Sequence, residues 1–324
     1  AIAVAFLVYI ITFIDLTLGM SILIACVGLS PELHIGGLSN VRLEDFVAPA
    51  LVLAWSMRSY TTRDPLVPTL VTAPLLFYTG GILLATFLGI ISGTTTPMTA
   101  LLFIGKFVEY FLIFFLFANA VRTRPEFQAL ASFALIVAVS AALQAAGLSM
   151  VGSPIHSTKL SGPLGETANI FGGYLVLHLG IAVGLYLHAR SGESRLATAI
   201  LLFLLGLPLL FTYSRTSFVA LMIAMLLFGV IKDRRLIFVL LALATILPFA
   251  APDAVWERIA TIGGVAIGPD PASWTSRLYA WGLASSRVVA SSPLVGFGTG
   301  SVRLGEVDSE YVRVFVDTGI LGLT

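Results

Sequence analysis

The chain has 324 residues, of which 58% are hydrophobic and only 11% are charged, and its mean hydropathy is +1.00. A soluble domain needs far more surface charge, so this composition excludes a soluble globular protein and predicts a polytopic helical membrane protein. The 18 basic and 17 acidic residues nearly balance, which excludes the clustered basic excess of a nucleic-acid-binding protein.

Apolar runs recur along the chain, and about 20 residues of this kind cross the ~30 Å of hydrocarbon in a bilayer. The first run is interrupted at Asp15, and the last stops at Thr324, so we expect the terminal helix to be incomplete. Only helices satisfy their own backbone in lipid, so the fold class is all-α, a transmembrane bundle of about ten spans. The candidate spans are 1–29, 43–58, 66–92, 98–120, 127–148, 169–189, 196–212, 216–231, 236–250 and one that starts near 309.

The Lys and Arg residues of the short loops set the orientation. The opposite short loops carry only Arg42, Lys159 and Arg215 if the 58–66 loop is cytoplasmic. The chain then divides into a bundle at 1–250, a large outer loop at 251–308 and a further span from 309 to 324. The basic residues on the cytoplasmic side are Arg58, Arg63, Arg122, Arg124, Arg190, Arg195, Lys232, Arg234 and Arg235.

The outer loop contains one segment with helical periodicity. Leu278, Trp281 and Val288 recur at roughly helical spacing from residue 276 onward, which predicts an amphipathic helix on the membrane surface. The "SSPLVGFGTG" that follows predicts a tight turn, because it lacks the strand and helix that flank a dinucleotide fingerprint. No zinc or Walker motif is present either, so we infer no metal and no nucleotide cofactor.

The closing stretch "VDSEYVRVFVDTGILGL" predicts a helix that enters the membrane at the outer surface. A helical projection puts Asp308 and Tyr311 on one side, and Glu310, Arg313 and Asp317 on the other. The second set can pair at i,i+3 and i,i+4 spacing, whereas Asp308 has no such partner. Asp308 is therefore either the cap of this helix or a functional carboxylate.

Arginines supply the candidate anion-binding groups. Arg215, in "TYSRTS", lies in a very short outer turn, where its guanidinium is suited to clamp a diphosphate or reaches lipid headgroups. Arg277, Arg287 and Arg303 in the outer loop add donors for the same ligand, unless they are plain surface charges.

Other polar residues allow two interpretations each. In "GPLGETANIFGGYL", Glu166 and Asn169 predict a helix cap and first turn, and Asn169 is also a candidate for binding sugar hydroxyls. His156 is a solvated loop residue or an alternative base. The spacing of Lys106 and Glu109 favours a structural ion pair rather than a proton path. Asp15 is expected to face the bundle interior.

Four stretches in order resemble the O-antigen ligase and O-antigen polymerase superfamily. The resemblance covers about residue 97 to the end, and its most specific parts are the "SSPLVGFGTG" segment and the pattern from Asp308 to Gly322. It implies a GT-C-like membrane glycosyltransferase that uses undecaprenyl-diphosphate-linked glycans at the periplasmic face of the bacterial inner membrane. The four stretches are "GPLGETANIFGGYL", "SRTSFVALMIAMLL", "SRLYAWGLASSRVVASSPLVGFGTGSV" and "DSEYVRVFVDTGILGL".

The resemblance also implies roles for individual residues. Arg215 matches the arginine of the family's outer turn, which is thought to hold the diphosphate, and Arg277 and Arg287 match arginines of the family's large periplasmic loop. Ligases of the family carry a histidine where this chain has Asp308, although Ser309, Gly319 and Gly322 match the family pattern. The difference favours a polymerase of O-antigen or exopolysaccharide over a ligase that transfers glycan to lipid A core.

The sequence therefore predicts a metal-independent, inverting glycosyltransferase. Asp308 would activate the acceptor hydroxyl, Asn169 and Tyr311 would contact substrate, and Asp308 and Arg215 would have to converge on one periplasmic cavity. The bilayer and the lipid-linked glycan are the expected partners, and a chain-length regulator is a candidate. The alternative function from another class is a transporter or flippase for a lipid-linked sugar. A transporter needs charged residues along a path through the bilayer, and the predicted spans contain few of them.

Overall fold

The computed structural model is helical apart from one short hairpin in the part of the chain that it describes. This confirms the predicted helical class. Among the described residues, five helices are long and apolar enough to cross a membrane: Thr72–Ser92, Pro97–Ala120, Arg124–Gly147, Ala168–His188 and Gly192–Phe211. The structure describes residues 2–30, 32–35, 38–63, 66–152, 160–164, 166–234, 236–238, 241, 274–301, 307 and 309–323.

The chain forms two compact units. The first comprises Ala1–Arg58 and Val121–Gly264, and the second comprises Ser59–Ala120 and Val265–Thr324. Half of the predicted outer loop at 251–308 and most of the predicted span at 236–250 lie outside the described residues. The estimate of about ten spans therefore stays a prediction.

The first unit begins with two short helices, α1 (Ile2–Ile14) and α2 (Leu16–Leu29), where the sequence predicted one interrupted span. Asp15 is exposed and caps α2, since its Oδ1 accepts hydrogen bonds from the N–H groups of Thr17 (2.9 Å) and Leu18 (3.1 Å). The expectation that Asp15 faces the bundle interior is wrong. Its carboxylate instead satisfies donors that every helix start leaves without intrahelical partners.

A two-stranded antiparallel hairpin follows, which the all-helical prediction missed. Strands β1 (Glu32–Ile35) and β2 (Leu38–Arg42) pair with Glu32 opposite Arg42 and Leu33 opposite Val41. Four- and five-residue strands carry too little periodicity to stand out between apolar helices. Helix α3 (Glu44–Thr62) begins directly after β2.

The core of the first unit lies among α6 (Arg124–Gly152), α7 (Ala168–His188) and α8 (Gly192–Phe211). Alanines such as Ala138 and Ala142 are fully buried on α6, so neighbouring helix backbones approach closely, as small residues allow in membrane proteins. Helix α9 (Arg215–Ile231) packs against α7.

The second unit contains α4 (Thr72–Ser92), α5 (Pro97–Ala120), α10 (Trp274–Ser291), α11 (Glu310–Thr318) and a 3-10 turn at Ile320–Gly322. The predicted ion pair on α5 is confirmed, because Lys106 Nζ lies 3.3 Å from Glu109 Oε2. The ammonium group also lies 5.4 Å from the centre of the Tyr110 ring. Pairing of this kind lowers the cost of two charges within a span.

Helix α10 corresponds to the predicted amphipathic helix and starts at Trp274. Val288 is fully buried and Trp281 is half-buried, as its periodicity predicts. Leu278 is instead 46% exposed, and Arg277 is half-buried. Whether α10 lies on a membrane surface stays a prediction.

Helix α11 packs against α4. Its first turn, at Glu310 and Tyr311, lines a cavity of about 390 Å³ with Tyr78 of α4. Its last turn is tied through Phe297 to Gly89, near the end of α4. One loop segment thus contacts both helices, and the entry of α11 into the membrane from the outer face stays a prediction.

Candidate functional site

In the first unit, Arg215 is the first residue of α9 and is half-buried. Ser214 caps this helix, because its hydroxyl accepts a hydrogen bond from the N–H of Ser217. The turn before it is tight, with Tyr213 at a φ of 48° and the Thr212 hydroxyl donating to the carbonyl of Leu209 at 2.7 Å. The Arg215 side chain therefore extends from a well-ordered turn at the positive end of a helix dipole.

The start of α7 is capped by Thr167, whose side chain accepts from the N–H of Ile170. Asn169 lies in the first turn and is exposed, so its predicted capping role belongs to Thr167, and its amide stays available as a predicted contact for sugar hydroxyls. Glu166 precedes the cap and accepts from the N–H of Leu164 at 3.2 Å.

The first turns of α7 and α9 lie side by side. A β-carbon added to Gly172 would lie 2.3 Å from Ser217 Oγ and 3.4 Å from Ser214 Cβ, so the absence of a side chain lets the two helix starts touch. Asn169 is one turn before Gly172, and Arg215 follows Ser214 directly. The structure thus brings these two predicted site residues to the same end of the first unit.

Sequence reasoning missed a further arginine at this end. Arg42 Nη2 lies 3.2 Å from Glu166 Oε1, and the Arg42 N–H donates to Asp45 Oδ2 at 2.8 Å. The ion pair ties the end of β2 to the segment that precedes α7. The signal in the sequence was only that Arg42 belongs to the few basic residues of the short outer loops.

In the second unit, the predicted residues have different environments. Arg277 is half-buried on α10, whereas Arg287 is exposed near its end. Tyr311 is 83% exposed in the first turn of α11. The predicted pair between Glu310 and Arg313 is confirmed, and the Arg313 guanidinium also lies 5.8 Å from the Phe107 ring centre.

Residues 292–301, which we call the glycine segment, leave α10 and pack between α4 and α11. Gly296, Gly298 and Gly300 all have positive φ, at 67°, 88° and 78°, a conformation that other residues rarely adopt. The tight turn predicted from the sequence is therefore confirmed, and it contains three glycines with positive φ.

Threonines of α4 and of the α4–α5 turn hold the glycine segment. The Thr86 and Thr299 hydroxyls are 2.8 Å apart, the Thr95 hydroxyl donates to the carbonyl of Thr299 at 3.0 Å, and the Thr94 hydroxyl donates to the carbonyl of Phe297 at 2.6 Å. The polar groups of this buried loop are thereby paired with hydroxyl groups, as buried backbone requires.

Asp317 on α11 has a buried carboxyl group, which the sequence analysis did not predict. The helical projection predicted that it pairs with Arg313, but only 5% of Asp317 is exposed and the Ser301 hydroxyl donates to its Oδ1 at 3.4 Å. Helix α11 is not among the five candidate spans. Burial raises the pKa of Asp317 to about 7, although the Arg313 charge and the Ser301 bond act in the opposite direction.

Four residues of the predicted site or its neighbourhood lie outside the described residues: His156, Lys159, Arg303 and Asp308. The roles suggested for them remain predictions.

Comparison with known families supports the resemblance inferred from the sequence motifs. Residues 200–324 match the O-antigen ligase family model. Over this part of the chain, the match confirms the predicted resemblance to the O-antigen ligase and polymerase superfamily. A search of curated proteins and a search of solved structures gave no significant match.

The matching O-antigen ligase segment includes most of the candidate residues. Arg215, Arg277, Arg287 and Tyr311 lie within it, together with the buried Asp317. Asn169 and the ion pair of Arg42 with Glu166 lie before it. The family match therefore bears on the arginines, whereas the α7 side of the first unit is supported only by its contact with α9.

Proposed function

We propose that this protein is a membrane glycosyltransferase that polymerises O-antigen or exopolysaccharide repeat units carried on undecaprenyl diphosphate. The observation that carries the proposal is the position of Arg215 at the start of α9, beside the start of α7 and within the O-antigen ligase family segment. We further propose that the protein resides in the bacterial inner membrane and acts at its periplasmic face, where the count of loop charges predicts Arg215 to lie.

The electrostatics at the start of α9 suit a diphosphate. A helix start carries roughly half a positive charge and N–H groups that point outward, and two such starts meet at Gly172. The guanidinium of Arg215 adds a full charge and planar donors that match phosphate oxygens. Asn169, one turn above the contact, adds a neutral amide for a sugar hydroxyl.

The proposed reaction needs charge stabilisation and one proton acceptor. The acceptor hydroxyl oxygen forms a bond to the anomeric carbon, and the bond from that carbon to the diphosphate oxygen breaks. The hydroxyl proton passes to a carboxylate, for which we propose Asp308, and the bonding electrons leave with undecaprenyl diphosphate. Arg215, Arg277 and Arg287 stabilise the negative charge on that leaving group, so we propose a metal-independent, inverting transfer.

A ligase is the second candidate, because the matching family model is described as O-antigen ligase. A ligase would use lipid A core as acceptor in place of a second lipid-linked repeat unit. Asp308 stands where the resembling ligases carry a histidine, which is why we rank polymerisation first.

The test replaces Arg215 by Ala in the native host, with Arg190→Ala as the matched control. Arg190 is an exposed arginine in the first unit, in a loop that we predict to be cytoplasmic. We expect Arg215→Ala to lower the amount of long-chain glycan by about 10²-fold, as loss of one transition-state charge donor does. Arg190→Ala should leave it unchanged.

The lipid that carries the remaining glycan separates the candidates. Accumulation of single repeat units on undecaprenyl diphosphate indicates a lost polymerase, and accumulation of full-length chains on that lipid indicates a lost ligase. Normal chains in Arg215→Ala cells would reject the proposed site. Purified protein that moves labelled lipid between leaflets without forming glycosidic bonds would favour the transporter.

A further inference from the structure

The carboxyl group of Asp317 has no role in the reaction proposed above, yet its position is well defined. It lies at the end of α11 with 5% exposure, and Ser301 donates a hydrogen bond to its Oδ1. The backbone around it is bonded to the glycine segment as well. The N–H of Phe297 donates to the carbonyl of Val316 at 2.8 Å, and the N–H of Gly298 donates to the carbonyl of Asp317 at 2.9 Å.

The packing at this point is too tight for the segment to shift freely. A β-carbon on Gly296 would lie 2.5 Å from the carbonyl oxygen of Val316, and one on Gly319 would lie 2.4 Å from the carbonyl carbon of Leu294. The glycine segment and the last turn of α11 therefore touch backbone to backbone. Ser301, where the segment ends, donates its N–H to the carbonyl of Gly298 at 3.3 Å and contacts α11 through its hydroxyl group.

A neutral side chain such as Asn would accept the same hydrogen bond from Ser301 without the cost of burying an ionisable carboxyl group. Burying such a group is expensive, and groups of this kind concentrate at functional sites. The glycine segment begins at α10, which carries Arg277 and Arg287, and it ends at Ser301. The last turn of α11 thus holds the segment that follows α10, through backbone bonds along its course and through the Asp317 carboxyl group at Ser301.

We propose that Asp317 is a positioning residue for the glycosyl transfer, and that its carboxyl group acts by holding Ser301 and thereby fixing the glycine segment behind α10. The inference rests on the proposed function, because it assigns the α10 arginines to the diphosphate. An ionised carboxylate accepts a hydrogen bond more strongly than a neutral carboxylic acid, so the hold on Ser301 strengthens as Asp317 loses its proton.

Several charged groups influence that proton. Glu310 and Arg313 lie on the same helix, with Arg313 favouring and Glu310 opposing the ionised form. Tyr78 is the titratable group on α4 that interacts electrostatically with Asp317. Lys106 and Glu109 on α5 pair with each other.

The experiment measures polymer formation in isolated membranes that are supplied with a labelled lipid-linked repeat unit. The variants are Asp317→Ala, Ser301→Ala, the double variant and Asp317→Asn, with Glu193→Gln as an exposed carboxylate control from the first unit. We expect each Ala variant to lower the rate about tenfold, and the double variant to be no slower than Asp317→Ala, because both remove one interaction.

The pH profile distinguishes positioning through an ionisable group from simple structural support. We expect the wild-type rate to rise between pH 6 and pH 8. The amide oxygen of Asp317→Asn still accepts a hydrogen bond from Ser301, so the rate of this variant should be near that of the wild type at pH 6. It should not rise between pH 6 and pH 8, because the amide cannot ionise. Losses in the two single variants that multiply in the double variant would overturn the inference. A wild-type pH profile in Asp317→Asn would overturn it as well.

Two controls keep the outcome interpretable. Full-length protein in the membrane is quantified for every variant, and Ser301→Ala, which removes one hydroxyl, decides the matter if Asp317→Ala fails to accumulate. Arg215→Ala is assayed in parallel. Loss in Arg215→Ala with a normal rate in Ser301→Ala rejects this inference alone, whereas a normal rate in Arg215→Ala rejects the proposed function.

Discussion

Burial gives the Asp317 carboxyl group a much higher proton affinity than an exposed aspartate has. Its pKa is about 7 in the folded protein, against an ordinary value of 3.8. Between these two pH values the folded state holds a proton that the unfolded chain has released. Stability must therefore fall as the pH rises from about 4 to about 7, and it should level off above that range.

This linkage gives a stability prediction for a single residue. Asp317→Asn cannot ionise, so we expect it to be more stable than the wild type at pH 8 by at most roughly 4 kcal/mol, and much closer to the wild type at pH 5. The measurement is the thermal unfolding midpoint of detergent-solubilised protein at both pH values, with Glu193→Gln as the control. Equal pH slopes for wild type and Asp317→Asn would show that the carboxyl group is not buried as described.

At the scale of elements, the glycine segment connects sequence to structure most directly. The string "GFGTG" predicted a tight turn, and the structure confirms positive φ values at its three glycines. The sequence did not reveal what the turn binds, because the partners Thr86, Thr94 and Thr95 are about 200 residues away. Backbone conformation is a local property, whereas the contact that uses it depends on tertiary structure.

Helix α11 illustrates the same limit. The spacing of Glu310 and Arg313 correctly predicted their ion pair, since i,i+3 neighbours meet on any helix. The same projection misassigned Asp317, because a helical wheel does not tell which side meets protein. The burial of Asp317 arises from the glycine segment, which reaches it through long-range packing.

Substitution of Gly296 tests the role of this element. Alanine there would take a φ of 67° and place its β-carbon 2.5 Å from the carbonyl oxygen of Val316, so we expect Gly296→Ala to destabilise the protein by about 2–4 kcal/mol. The matched control is Gly282→Ala within α10, where nothing lies within 4 Å and helix propensity should add up to about 1 kcal/mol. Thermal unfolding in detergent measures both changes. A Gly296→Ala variant as stable as Gly282→Ala would contradict the backbone contact.

At the scale of the whole molecule, composition was sufficient to predict a helical membrane protein, and the sequence motifs were sufficient to predict the resemblance that the O-antigen ligase family model shows over residues 200–324. The hairpin at β1 and β2 was missed, and the first apolar run proved to be two helices separated by a capping aspartate. A hydropathy pattern reports how long a segment stays apolar. It does not report a break that a single side chain can cap, as Asp15 does for α2.

Membrane topology is the whole-molecule property on which the proposed function depends, and the chain is well suited to test it. Its single cysteine, Cys26, is buried, so a Cys26→Ala background gives low labelling. Cysteines introduced one at a time at Thr96 and Thr216 should react with a membrane-impermeant maleimide in spheroplasts, because the distribution of loop charges predicts that both lie on the periplasmic side. Cysteines introduced at Arg124 and Arg190 should react only after permeabilisation. All four positions are exposed, so burial cannot explain a failure to react. The reverse pattern would place Arg215 at the cytoplasmic face, where a periplasmic glycan transfer could not use it.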